Sequence, residues 1–139
     1  MRRYLIVANK TLLGEPLLAK VRECLAAGPC QFHLVVPASH LPGPAGWTEG
    51  RERMIAAERL QVALERFRAV AAEVEGEVGD GRPIDAIRDA ILHAPPFDEI
   101  ILSTLPPGVS RWLRQDLPHR VERTFELPTT TIIAGRVAA

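Results

Sequence analysis

The sequence predicts an α/β domain with a parallel sheet covered by helices on both faces. Two observations carry this. Short apolar, β-branched runs alternate along the chain with segments of helical period. The inner runs, such as Tyr4-Leu5-Ile6-Val7-Ala8 and Phe32-His33-Leu34-Val35-Val36, are continuously apolar rather than alternating, as strands buried on both faces require. A third observation sets the scale: 139 residues with 47% hydrophobic and 24% charged side chains suit one soluble domain, spanning 1–139. A domain of this size buries roughly 68% of its unfolded surface and needs no staple.

The elements follow in order. Tyr4–Ala8 is the first strand. Gly14-Glu15-Pro16 opens a helix in which Leu17, Val21 and Leu25 share a face, and Gly28-Pro29 ends it. Phe32–Val36 is the second strand. The Pro- and Gly-rich stretch Pro37–Gly50, with Trp47 inside it, is longer than an ordinary connection and reads as a lid or a docking surface. From about Glu52 to Ala72 runs the longest helical pattern, with Ala57, Leu60, Leu64, Phe67 and Ala71 as its apolar stripe. Glu73–Val78 alternates charge with Val74, Gly76 and Val78, as an edge strand does. Pro83 opens a helix with Ile84, Ile87 and Ile91 on one side, and His93-Ala94-Pro95-Pro96 stops it. Glu99–Ser103 is the fourth strand. A turn on Pro106, Pro107 and Gly108 leads to a short helix over Val109–Leu113. Pro118 breaks that pattern, so a new helix begins at Leu117 with Asp116 as its N-cap. Thr129–Ala134, after Pro128, is the last strand.

Charge and targeting signals narrow the function. Seventeen Lys and Arg balance seventeen Asp and Glu, which does not suit a nucleic-acid binder. No segment approaches membrane-spanning length, and the apolar run near Met1 is too short for a signal peptide, so the expectation is a cytoplasmic protein. Cys24 and Cys30 match no redox or zinc spacing and read as buried, inert thiols. His33, His40, His93 and His119 lack metal-ligand spacing, so no metal site is expected.

In sheets of this kind ligands sit beyond the carboxyl ends of the strands, where strand order reverses. The ends concerned are Ala8-Asn9, Val36-Pro37 and Ser103-Thr104. Asn9 is the polar group best placed for a site. Ser103 and Thr104 read either as ligand contacts or as turn hydrogen bonds. Ser110 lacks a nucleophile elbow and reads as a helix cap. Gly79-Asp80-Gly81 reads as a turn, and Trp112 as core or dimer contact. Arg111, Arg114, Arg120 and Arg123 read as a solvated face rather than an anion clamp, since Asp116, Glu122 and Glu126 accompany them. No paired carboxylates or Ser-His-Asp order marks an enzyme.

Three stretches carry a family likeness: IVAN in the first strand, EVGDGRPIDAIRDAI, and above all FDEIILSTLPPGVSRWLRQDLPHRVERTFELPTTTII, with GVSR and HRVER nearest. Over nearly its whole length the chain resembles the universal stress protein family. The resemblance implies an adenine nucleotide alpha hydrolase-like fold, a three-layer sandwich with a five-stranded parallel sheet of order 3-2-1-4-5. It also implies a homodimer through the last strand, a role in stress responses and, in many members, ATP. It implies a ligand cleft near Asn9, Val36, Ser103, Thr104, Gly108 and Ser110. ATP-binding members carry Gly, two residues, Gly, nine residues, then Gly and Ser or Thr. Laid on this chain those positions fall at Leu102, Leu105, Gln115 and Asp116, and all four depart. Asn9 stands where the family has Asp. Pro106, Pro107 and Pro118 remove backbone N–H groups from the region that would cradle phosphates, and Asp116 adds a like charge. The expectation is a non-catalytic binding or regulatory module with no cofactor, to which MgATP binds weakly or not at all. The alternative is a nucleotide- or nucleoside-binding stress protein with an altered loop.

Overall fold

The protein is described from a computed structural model covering residues 1–38, 48–94, 96–106 and 110–134. The elements alternate as β1 (Arg2–Val7), α1 (Glu15–Ala27), β2 (Cys30–Pro37), α2 (Thr48–Ala69), β3 (Glu73–Gly79), α3 (Pro83–His93), β4 (Glu99–Thr104), α4 (Arg111–Arg114), α5 (Leu117–Phe125) and β5 (Thr129–Ile133). The strands form one sheet, all parallel, in the order β3-β2-β1-β4-β5. The register sets Ile6 beside Leu34 and Ile101, and Leu34 beside Gly76.

Successive strand residues point to opposite faces, so the continuous apolar runs feed two cores. Ile6, Leu34 and Val36 face one way and pack with Leu17 and Val21 of α1 and Leu60 and Phe67 of α2. Leu5, Val7, Val35, Ile100 and Leu102 face the other way, onto Ile87 and Ala90 of α3 and Leu117 and Val121 of α5. Trp112 packs at the rim of this second core. The polar strand β3 lies at one edge, as its alternation predicts, and β5 at the other.

Four sequence expectations need correction. α2 begins at Thr48, four residues before the expected start, and ends at Ala69, three residues before the expected end. Its end is set by Ala71, held in the left-handed region at φ 66°. The Ala71 N–H donates to the Arg68 carbonyl and the Ala72 N–H to the Phe67 carbonyl, each at 3.0 Å. This is a Schellman closure, with alanine where glycine usually marks it. The buried stripe of α2 is Ala56, Leu60, Ala63, Leu64 and Phe67; Ala57 and Ala71 are exposed. Asp116 precedes α5, but its side chain caps no helix N–H. Its backbone is left-handed at φ 55°, and its Oδ1 meets His119 Nδ1 at 2.9 Å instead. The short helix is α4, one turn over Arg111–Arg114, starting later than expected. The stretch 39–47 with Trp47, and Pro107, Gly108 and Val109, lie outside the described residues.

Candidate functional site

The carboxyl ends of β1, β2 and β4 meet where strand order reverses, between β1 and β4. Polar side chains gather here, and nearly all are buried: Asn9, Thr11, Ser103, Thr104 and Ser110. Buried polar groups need partners, and these have them. Asn9 Nδ2 donates to the Pro37 carbonyl at 2.6 Å, tying the end of β1 to the end of β2. Its Oδ1 accepts from Arg59 Nη1, so the amide orientation follows from its partners. Arg59 thus brings a guanidinium from α2 to the head of the sheet. Thr11 Oγ1 and Ser103 Oγ share a hydrogen bond of 2.6 Å across the reversal. The turn after β1 closes through the Leu12 N–H on the Asn9 carbonyl, 3.1 Å, and the Gly14 N–H on the Thr11 carbonyl, 3.0 Å.

At the end of β4 the two readings of Ser103 and Thr104 divide. The Thr104 hydroxyl donates to the Leu105 carbonyl at 3.0 Å, a turn bond, while Ser103 spends its hydroxyl on Thr11. Ser110 Oγ accepts from the Leu113 N–H at 3.1 Å and caps α4, as the sequence predicts. Val36 turns its side chain wholly into the first core, so only its backbone stands at the strand end. Leu102, laid on a cradle glycine by the family pattern, is fully buried in β4 against the second core. Gly108 lies outside the described residues.

Sequence reading missed Arg59, Thr11 and Glu52. Arg59 stands beside the apolar stripe of α2, where arginine ordinarily points to water. Glu52 is buried on the stripe itself, one turn before Ala56. A carboxylate at a stripe position was the available signal. The hydroxyl partners seen are another hydroxyl, a backbone N–H and a backbone carbonyl. Such a set ties the strand ends and the turns after them together.

Other reactive groups lie elsewhere. Cys24 and Cys30 are free and buried, and burial pushes both thiols up. Among the described residues no group of three or more His, Cys, Asp or Glu is arranged to hold a metal ion. No described helix is long and apolar enough to cross a membrane. A shallow depression of about 340 Å3 lies on α5, lined by Asp116, His119, Glu122 and Arg123, and includes no strand end.

A parallel sheet of order 3-2-1-4-5 with helices, and polar side chains at the β1/β4 reversal, defines an adenine nucleotide alpha hydrolase-like α/β fold. Within that class the solved structures it matches include universal stress proteins. One, from Archaeoglobus fulgidus in complex with dAMP, shares 23% identity at a TM-score of 0.62, over 95% of this chain and 97% of that one. Another, from Arabidopsis thaliana with AMP bound, shares 11% at 0.63, over 97% and 93%. A third, from Burkholderia pseudomallei, shares 12% at 0.66, over 94% of each. No protein-family model and no curated protein matches the chain.

Proposed function

We propose that this chain is a universal stress protein-like binding or regulatory module, without catalysis, whose cleft does not hold MgATP in the manner of the ATP-binding members. The observation that carries this is the state of the cleft's polar groups. Asn9 has both ends of its amide occupied by Pro37 and Arg59, and the Thr11 and Ser103 hydroxyls are turned on each other. A triphosphate cradle needs free backbone N–H groups approached closely, and Leu105, Pro106 and Pro107 supply branched side chains and missing donors there.

A second reading is favoured by one specific observation: relatives in fold have been solved with AMP and dAMP bound. A nucleoside or monophosphate needs less of the lost cradle, and the Arg59 guanidinium stands next to Asn9 to meet an anion. Calorimetric titration with MgATP, AMP and adenosine separates the two. The first reading expects no heat from MgATP. Binding of AMP but not MgATP selects the second, and tight magnesium-dependent ATP binding overturns both. The module is further proposed to be a cytoplasmic homodimer joined through β5. That strand occupies a sheet edge, and its β-branched residues are only half-buried. A monomeric mass in light scattering at micromolar concentration refutes the dimer.

A further inference from the structure

We propose that Glu75, His33, Glu77 and His93 form a proton-operated latch that fastens the end of α3 to the β3 edge of the sheet. The latch holds while its imidazoles carry protons and loosens when they lose them.

The four side chains form one chain of contacts across three elements. On β2, His33 is only 8% exposed, on the face that carries the second core. Both of its ring nitrogens face carboxylates of β3: Nδ1 stands 3.3 Å from Glu75 Oε1 and Nε2 stands 2.7 Å from Glu77 Oε2. A neutral imidazole has one N–H and one lone pair, so only the imidazolium donates to both. His93 closes the chain from the last turn of α3, its Nε2 3.0 Å from the same Glu77 Oε2. A protonated imidazole there also favours the carbonyl end of the helix.

The surroundings make the proton count matter. Glu73, Glu75 and Glu77 are alternate residues of β3 on the face opposite Val74, so three carboxylates share one row. Two imidazoliums leave that row one net negative charge; two neutral imidazoles leave three. Other charges facing the group do not replace them. From β1, Leu5 lies opposite His33 and is apolar. Arg3 stacks over Phe97 at 5.1 Å, with the His33 ring also against Phe97 at 5.8 Å, and spends Nη1 on Gln31. Gln31 in turn donates to Glu73 at 3.0 Å. From α3, Asp89 is one turn before His93 and exposed, adding negative charge.

Amide hydrogen exchange on the full chain near pH 6 and near pH 8 tests the latch, across the range where imidazoles titrate. After correction for intrinsic rates, opening of 89–94 and 73–79 relative to β1 should rise roughly two- to fivefold at the higher pH, the size a partly exposed pair supports. Glu77→Gln should remove most of that rise by opening both segments already near pH 6. His93→Gln, a change at an exposed position that leaves the fold intact, should remove it for 89–94 alone. Equal wild-type opening at both pH values overturns the proposal. So does a full pH response that survives Glu77→Gln or, in α3, His93→Gln.

Discussion

Gly76→Ala tests whether the spacing between α2 and the sheet is as tight as the structure shows. Gly76 lies in β3 beneath α2. A Cβ there would meet Leu60 Cδ1 at 2.7 Å, Leu34 Cβ at 2.9 Å and the Leu34 carbonyl oxygen at 3.0 Å. Leu60 can swing its methyl, but Leu34 belongs to a strand paired on both sides, with Ile6 and with Gly76 itself. Forcing a methyl into such a contact costs ~1–3 kcal/mol. Replacing glycine inside a strand returns ~0.5–1 kcal/mol of backbone entropy. The expected net loss is ~1–2 kcal/mol, read in urea unfolding as a midpoint lower by roughly 0.5–1 M. Gly50→Ala in α2, where a Cβ meets nothing within 4 Å, is the control and should raise stability by up to ~1 kcal/mol. In a Leu60→Ala background the Gly76→Ala penalty should shrink without vanishing, because the Leu34 contacts remain. An unchanged midpoint for Gly76→Ala, or an identical penalty in both backgrounds, refutes the reasoning. The same spacing seats Arg59 on Asn9, so the variant should also disturb the head of the sheet.

Ala71→Gly should raise stability by ~1 kcal/mol, since alanine at φ 66° bears a left-handed strain that glycine does not. Asp116→Gly should be at least as stable as the native chain in thermal unfolding, because the position is left-handed and its side chain caps nothing; a clear loss would restore the capping account. Ser110→Ala should cost ~0.5–2 kcal/mol through the lost bond to the Leu113 N–H, and Ser110→Asp should keep most of it. Burial alone would push the Glu77 carboxyl up, but hydrogen bonds from His93 and His33 hold it below the ordinary carboxylate range. Its contribution is therefore present from above that range up to where the imidazoles lose their protons, and is lost as pH falls through the lowered folded value, so Glu77→Gln should flatten the acid-side slope of Tm against pH. An unaltered slope counts against this.

Strand positions, helix starts at prolines and the edge placement of β3 were legible because each rests on neighbours in sequence. Period, proline geometry and the Gly28-Pro29 stop act over a few residues, and the structure places α1 and α3 where those signals do. The end of α2 was not legible, because its left-handed closure falls on Ala71, a residue with no local preference for that conformation. Asp116 misled for a related reason. Its type suits a cap, but the backbone angle that α4 and α5 impose turns its carboxylate toward His119.

The candidate site divides the same way. Asn9, Ser103 and Thr104 were readable as polar strand-end residues, because a polar residue ending an apolar strand stands out locally. Their partners were not, since each contact joins residues far apart in the chain: Asn9 with Arg59, Thr11 with Ser103, His33 with Glu77 and His93 with Glu77. Four histidines scattered in sequence carry no signal of spacing. Only the parallel pairing of β2 with β3, and the return of α3 along that edge, put two of them on one carboxylate. Sequence by itself determined which segments are strands and helices and which faces are apolar, because those are properties of a few bonds and a period. Tertiary structure decided which polar groups are buried and what each one meets, because hydrogen bonds and charges act through space and not along the chain.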